Sequence, residues 1–92
     1  MKLIWNGNTL SSIKFKIGDL LVNKYETQVG VIGGDRLELN PANSVYLISS
    51  VEKEEDNLYY ILYCQQTGSF SKWHTDYIDD ELTFNNMWLY QV

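Results

Sequence analysis

Val45-Tyr46-Leu47-Ile48-Ser49-Ser50-Val51, then Glu52-Lys53-Glu54-Glu55-Asp56-Asn57, then Leu58-Tyr59-Tyr60-Ile61-Leu62-Tyr63-Cys64 is the stretch that decides the fold. Two runs rich in Val, Ile, Leu and Tyr flank a polar, mostly charged connector. Branched and aromatic side chains suit a pleated, half-buried surface. A short charged break between two such runs predicts an antiparallel hairpin, with strands over 45–51 and 58–64 and a turn over 52–57. In the second run Tyr60, Leu62 and Cys64 share one face, and Tyr59, Ile61 and Tyr63 the other. Both faces are apolar or amphipathic, which suits a central strand.

Outward from this hairpin the chain keeps the same character. Upstream, Ile13, Phe15 and Ile17 alternate with Lys14 and Lys16, a period of two with one buried face. Gly18-Asp19 interrupts, and Leu20-Leu21-Val22 resumes as a strand. Lys24 to Gln28 is polar and reads as a loop. Val29-Gly30-Val31-Ile32 is the next strand, where Gly30 suggests a bulge or a close backbone approach. Residues 33–44 form a long connection, in which Leu37 and Leu39 alternate with Glu38 and allow a short strand. Downstream, Thr67-Gly68 centres a turn. Phe70 and Lys72 then face one side of a short strand, and Ser71 and Trp73 the other. Thr75 to Asp80 reads as a single helical turn, capped by Thr75 or Asp76. At the ends, Leu3-Ile4-Trp5 is a candidate first strand before the Asn6-Gly7 turn signal. Phe84, Met87, Trp88, Leu89 and Tyr90 make the last segment too apolar for a loose tail.

The chain has 92 residues, one cysteine, one histidine and a formal charge of -5. That length holds one small domain, 1–92. The lone Cys64 excludes an internal disulfide framework. The acidic balance argues against nonspecific nucleic-acid binding, which needs a basic footprint. No signal-peptide pattern or membrane-length apolar run is present, so the expected location is the cytoplasm, with no membrane partner.

Several features together resemble a small SH3-like β-barrel. They are Phe15-Lys16-Ile17-Gly18-Asp19-Leu20-Leu21-Val22, the glycine-bearing Val29-Gly30-Val31-Ile32 and Tyr46-Leu47-Ile48. The long run Tyr59 to Cys64, Trp73 and the closing Tyr77-Ile78 complete the set. The resemblance covers about residues 15–82 and is similar to small accessory proteins of tailed bacteriophages. It implies an all-β, five-stranded barrel with an extra N-terminal strand and an apolar C-terminal segment. It also implies a phage or bacterial setting, with the host cytoplasm as the location. In such a barrel Gly18 permits a sharp turn and Asp19 caps turn amides.

Catalytic chemistry is thin. Cys64 sits mid-strand on an apolar face and reads as buried and inert. His74 reads as an unpaired surface side chain. His74 with Asp76 and Asp80 is a weak metal set without a second His or Cys. No catalytic residues, metal site or cofactor are therefore expected, and the chain reads as a non-enzyme.

Aromatics are the surplus: seven Tyr, three Trp and three Phe. A domain this small buries only part of them. Trp5, Tyr25, Tyr46, Tyr59, Tyr63, Trp73, Trp88 and Tyr90 are the candidates to remain outside the core. Tyr and Trp dominate protein interfaces. The charge is also uneven, at +1 over residues 1–46 and -6 over 47–92. The partner-binding set is therefore read as Tyr25, Tyr59, Tyr63, Trp73, Asp76, Asp79, Asp80, Trp88 and Tyr90. They suit a basic protein partner or self-association into a homo-oligomer through residues 84–92. An alternative is an acidic inhibitor of a host nucleic-acid enzyme or defence protein, acting through the C-terminal carboxylates.

Overall fold

The structure, a computed structural model, describes residues 2–3, 16–34 and 36–91. Among these residues eight strands and one helix follow in the order β1 (Lys2–Leu3), β2 (Leu20–Asn23), β3 (Thr27–Gly30), β4 (Leu37–Asn40), β5 (Val45–Glu54), β6 (Asn57–Cys64), β7 (Phe70–His74), α1 (Thr75–Thr83) and β8 (Met87–Gln91). The described residues are mostly β apart from that short helix. One sheet has six strands in the order β1-β8-β2-β5-β6-β7, and β3 and β4 form a second, two-stranded sheet. The larger sheet does not close on itself; β1 and β7 are its edges. The β3–β4 hairpin meets β7 at one bridge, Val31 with Ser71, beside the Ile32 N–H bond to the Phe70 carbonyl at 2.8 Å.

The expected hairpin over 45–64 is present, with β5 and β6 antiparallel. Its turn is tighter than the charged run suggests. Pairing extends to Glu54 and Asn57, and only Glu55 and Asp56 turn, with Glu55 at a φ of 55°. Glu52 to Glu54 belong to strand because their side chains stay exposed while the backbone pairs. The register of β5 against β6 shifts by one residue between Ile48 and Ser50, the mark of a bulge.

Gly18-Asp19 does what its chemistry suggests. Gly18 adopts a φ of 97°. Asp19 is buried, and its Oδ2 accepts from the Lys16 N–H at 3.0 Å and from Gln91 Nε2 at 3.1 Å. The core gathers Leu21, Tyr46, Ile48, Leu62, Cys64, Trp73, Ile78, Leu82 and Leu89 between the sheet, the hairpin and α1. Each fully buried side chain of this size contributes roughly 1.5–3 kcal/mol of transfer free energy.

The structure corrects several expectations. Ile17 lies in a turn and is exposed, so the period-two run does not continue as strand through it; Ile13 and Phe15 lie outside the described residues, as do Ile4, Trp5 and the Asn6-Gly7 turn. The polar run 24–28 is not all loop, since β3 begins at Thr27 and ends at Gly30. The Gly30 backbone shows no close approach. Within the 33–44 connection the short strand that the Leu37-Glu38-Leu39 alternation allows is present as β4, paired with β3. The last segment is no appendage: β8 lies between β1 and β2, with Met87 and Leu89 in the core. Its in-out alternation fits a strand, and pairing satisfies its backbone on both sides.

Candidate binding groove

A groove runs between the hairpin and the helix, and local hydrogen bonds set both walls. On the first wall Asn23 is buried at the end of β2. Its Oδ1 accepts from the Ser44 N–H at 2.6 Å, and its Nδ2 donates to the Pro41 carbonyl at 3.1 Å and to Thr27 Oγ1 at 3.2 Å. The Thr27 hydroxyl in turn donates to the Tyr25 carbonyl at 3.0 Å. One side chain thus fixes both ends of the hairpin and the bend that presents Tyr25. The Lys24 N–H donates to the Asn86 carbonyl at 2.9 Å, and Lys24 Nζ reaches Asn85 and lies 4.8 Å from the Trp88 ring centroid.

The second wall is α1, nine residues and two turns rather than one. His74 caps it, not Thr75 or Asp76: Nδ1 accepts from the Asp76 N–H at 3.0 Å. A backbone N–H can only donate, so Nδ1 offers its lone pair, and Nε2 donates to Asn57 Oδ1 at 3.1 Å. The Tyr59 ring stands edge-on to the imidazole at 5.1 Å. The expectation of an unpaired surface histidine is therefore overturned. Asn85, at a φ of 62°, ends the helix, and the Asn86 N–H bonds to the Glu81 carbonyl at 2.8 Å. Ile78 and Leu82 anchor the helix in the core, which leaves Tyr77 and Glu81, one turn apart, facing the groove.

The larger hollow, of about 370 Å³, lies between Tyr25, Glu26 and Thr27 on one side and Tyr77, Glu81 and Asn86 on the other. It continues past Gln28 and Tyr77 into a smaller hollow of about 130 Å³ at Gly30, Lys72 and Trp73. Trp73 is the floor. It is 5% exposed, its Nε1 donates to Ser71 Oγ at 2.7 Å, and its ring meets Tyr46 at 5.3 Å and Tyr77 at 5.2 Å. Burial, then the Glu81 carboxylate, push the Tyr77 hydroxyl above its usual pKa. Burial and the neighbouring Asp76 and Asp80 charges push the Asp79 carboxyl up as well.

The residues expected at an interface fall on several surfaces. Tyr25 and Trp73 belong to the groove, Tyr25 as an exposed wall and Trp73 as a buried floor. Tyr46 is fully buried, so neither it nor Trp73 remains outside the core. Asp76, Asp79 and Asp80 share α1 with Tyr77. Tyr59 and Tyr63 lie on the outer face of β6, where Tyr59 carries Lys72 over its ring at 4.7 Å and Tyr63 packs on Phe70 at 5.0 Å. Trp88 and Tyr90 are half-buried on β8. Cys64 is buried, as expected. Glu52 and Glu54 are not bare charges, because Lys72 pairs with both. Sequence reasoning missed Tyr77, Glu81 and Asn23. The i, i+4 spacing of Tyr77 and Glu81 is legible once α1 is given two turns.

Among the described residues no group of His, Cys, Asp and Glu is placed to hold a metal, and no helix is long and apolar enough to cross a membrane. Comparison with protein-family models, curated proteins and solved structures finds no match.

Proposed function

We propose that this chain is a non-enzymatic protein-interaction module of SH3-like build, with the groove between β3 and α1 as its docking site. The strand succession β8-β2-β5-β6-β7 supports that build. So do the hairpin inserted between β2 and β5 and the short helix before the last strand. The carrying observation is the groove itself, continuous across two hollows and walled by exposed Tyr25 and Tyr77 on separately anchored elements. Tyrosines supply large contact area at low conformational cost. The sequence resemblance supports a setting among phage or bacterial accessory proteins. Capture from a bacterial lysate tests the reading: the tagged chain is expected to retain a specific protein that the Tyr25→Ser/Tyr77→Ser double variant loses. Equal capture by both, with the variant folded, overturns it.

One observation favours the acidic-inhibitor reading as runner-up. The two acidic stretches meet through His74, which bonds Asn57 beside Asp56 and lies 3.7 Å from the Asp76 carboxylate. Retained binding after Asp76→Lys, Asp79→Lys and Asp80→Lys counts against that reading.

A further inference from the structure

The larger hollow supports a narrower reading, which rests on the interaction-module proposal. Its side walls are the Tyr25 and Tyr77 rings, its charged groups are the Glu26 and Glu81 carboxylates, and no Lys or Arg is among the described residues that line it. The lysines of the adjoining segments are engaged elsewhere. Lys24 is held by Asn85 and Trp88, and Lys72 by Glu52 and Glu54. Among the described residues no ion pair holds Glu26 or Glu81, and the Tyr77 hydroxyl that bonds Glu81 does not neutralise it. The hollow therefore combines aromatic faces with negative charge, and each favours a cation. A guanidinium satisfies both: its flat face stacks on tyrosine and its fork of N–H groups matches a carboxylate. An ammonium gains less from the rings because it is compact and strongly hydrated. A Pro-rich segment uses the rings but leaves the carboxylates unmatched.

We infer that the hollow seats one arginine side chain of a basic partner segment, its guanidinium between Tyr25 and Tyr77 and paired with Glu26 and Glu81. Glu26 is exposed and Glu81 half-buried, so both can be altered without opening the core.

The test titrates the ¹⁵N-labelled chain with acetyl-Gly-Ser-Arg-Ser-Gly-amide and with the same peptide carrying citrulline or lysine in place of arginine. Amide shifts are read at residues 25–28, 77–81 and 86. The arginine peptide is expected to move these amides and to bind about tenfold more tightly than the citrulline peptide at low salt. Glu26→Gln with Glu81→Gln should remove that preference, whereas Asp56→Asn, an equal kind of charge change at the far turn, should retain it. Equal binding of arginine and citrulline peptides, equal binding of the lysine peptide, or shifts confined to other surfaces overturns the assignment. The parent reading fails separately. If the double tyrosine variant captures the same proteins as the parent chain while the arginine preference holds, the seat stands and the docking proposal falls. If capture is lost without any arginine preference, the docking proposal stands and the seat falls.

Discussion

The β5–β6 and β3–β4 hairpins are both antiparallel, yet they turn opposite kinds of face inward. In β5–β6, Tyr46, Ile48, Tyr60, Leu62 and Cys64 are buried, and the charged residues 52–56 are exposed. In β3–β4, Val29 and Asn40 are buried and Glu38 is largely covered, while Leu37 and Leu39 are 64% and 58% exposed. Apolar burial holds the first hairpin. Polar contacts hold much of the second: Asn40 Nδ2 donates to the Tyr46 hydroxyl at 2.7 Å, and Ser69 Oγ donates to Glu38 Oε2 at 3.1 Å. Glu38 Oε1 and Asn40 Oδ1 are buried with no hydrogen-bond partner among the described residues. A net hydrogen bond contributes only about 1 kcal/mol, less than a buried Leu. The two hairpins therefore divide the labour. One hairpin belongs to the folding core, and the other is a more weakly held wall that shapes the groove.

The sharpest way to break that comparison is Leu62→Ala. Leu62 is fully buried on β6, paired with Ile48 of β5 and Ser71 of β7. Its truncation should destabilise the protein by about 2–5 kcal/mol, read by urea unfolding. A loss under about 1 kcal/mol means that the sheet core is not the main source of stability.

Alkaline titration probes the seam between the two hairpins. Burial raises the Tyr46 hydroxyl to about 12, opposed by the Asn40 hydrogen bond and helped by the Cys64 and Glu38 charges. The folded chain thus keeps a proton that the unfolded chain releases near 10. Tyr46's contribution is complete below pH 10 and is lost as the pH rises from 10 towards 12. Tyr60 and Tyr77 are raised too and act in the same direction. Stability should fall by about 2–3 kcal/mol from Tyr46 alone across that window, and Tyr46→Phe should flatten the fall. An unchanged slope in Tyr46→Phe shows that its hydroxyl is not buried against Asn40.

Asn40→Ala removes the donor to Tyr46 from the hairpin side. A cost of about 1–2 kcal/mol is expected, with faster amide exchange in β3 and β4 than in β5 and β6. Uniform acceleration across all four strands would show that the hairpins open as one unit and that the groove wall has no independent mobility.

Legibility follows the same division. The 45–64 hairpin is legible because its in-out alternation and its burial agree; Ser71 and Trp73 share a face as the alternation predicts, but the sequence leaves Trp73 a candidate for the surface and the fold buries it. The β3–β4 hairpin was only half visible. Its alternation is clear in Leu37-Glu38-Leu39-Asn40, but the inward face is the polar one, so the pattern gives no sign of burial. Asn23, which pins it, is an ordinary strand-end asparagine in sequence, and two of its three partners, Ser44 and Pro41, lie far along the chain. The sequence marks β8 only as a packed apolar segment, because strand pairing is nonlocal and nothing near residue 89 announces Leu21 as its partner. The sequence predicts only one helical turn because four acids in 76–81 resemble a solvated loop, whereas the Ile78–Leu82 spacing that buries one face carries the helix on.

Leu39→Ser tests the outward face of the weaker hairpin and has the smallest expected effect. In the single chain Leu39 is exposed, so losing its apolar surface should alter stability by less than about 0.5 kcal/mol. The measurement is urea unfolding at two protein concentrations well apart. If Leu39→Ser costs as much as a core truncation, and the parent chain gains stability with concentration, then Leu37 and Leu39 are covered in solution by another copy. The inverted polarity of β3–β4 would then be an interface whose second half is another molecule, and the contrast between the hairpins would concern what each one packs against. If the effect is near zero at both concentrations, the exposed leucines carry no folding role. The hairpin is then held by Asn23, Asn40 and Val29, and the contrast between the hairpins stands as a property of the single chain.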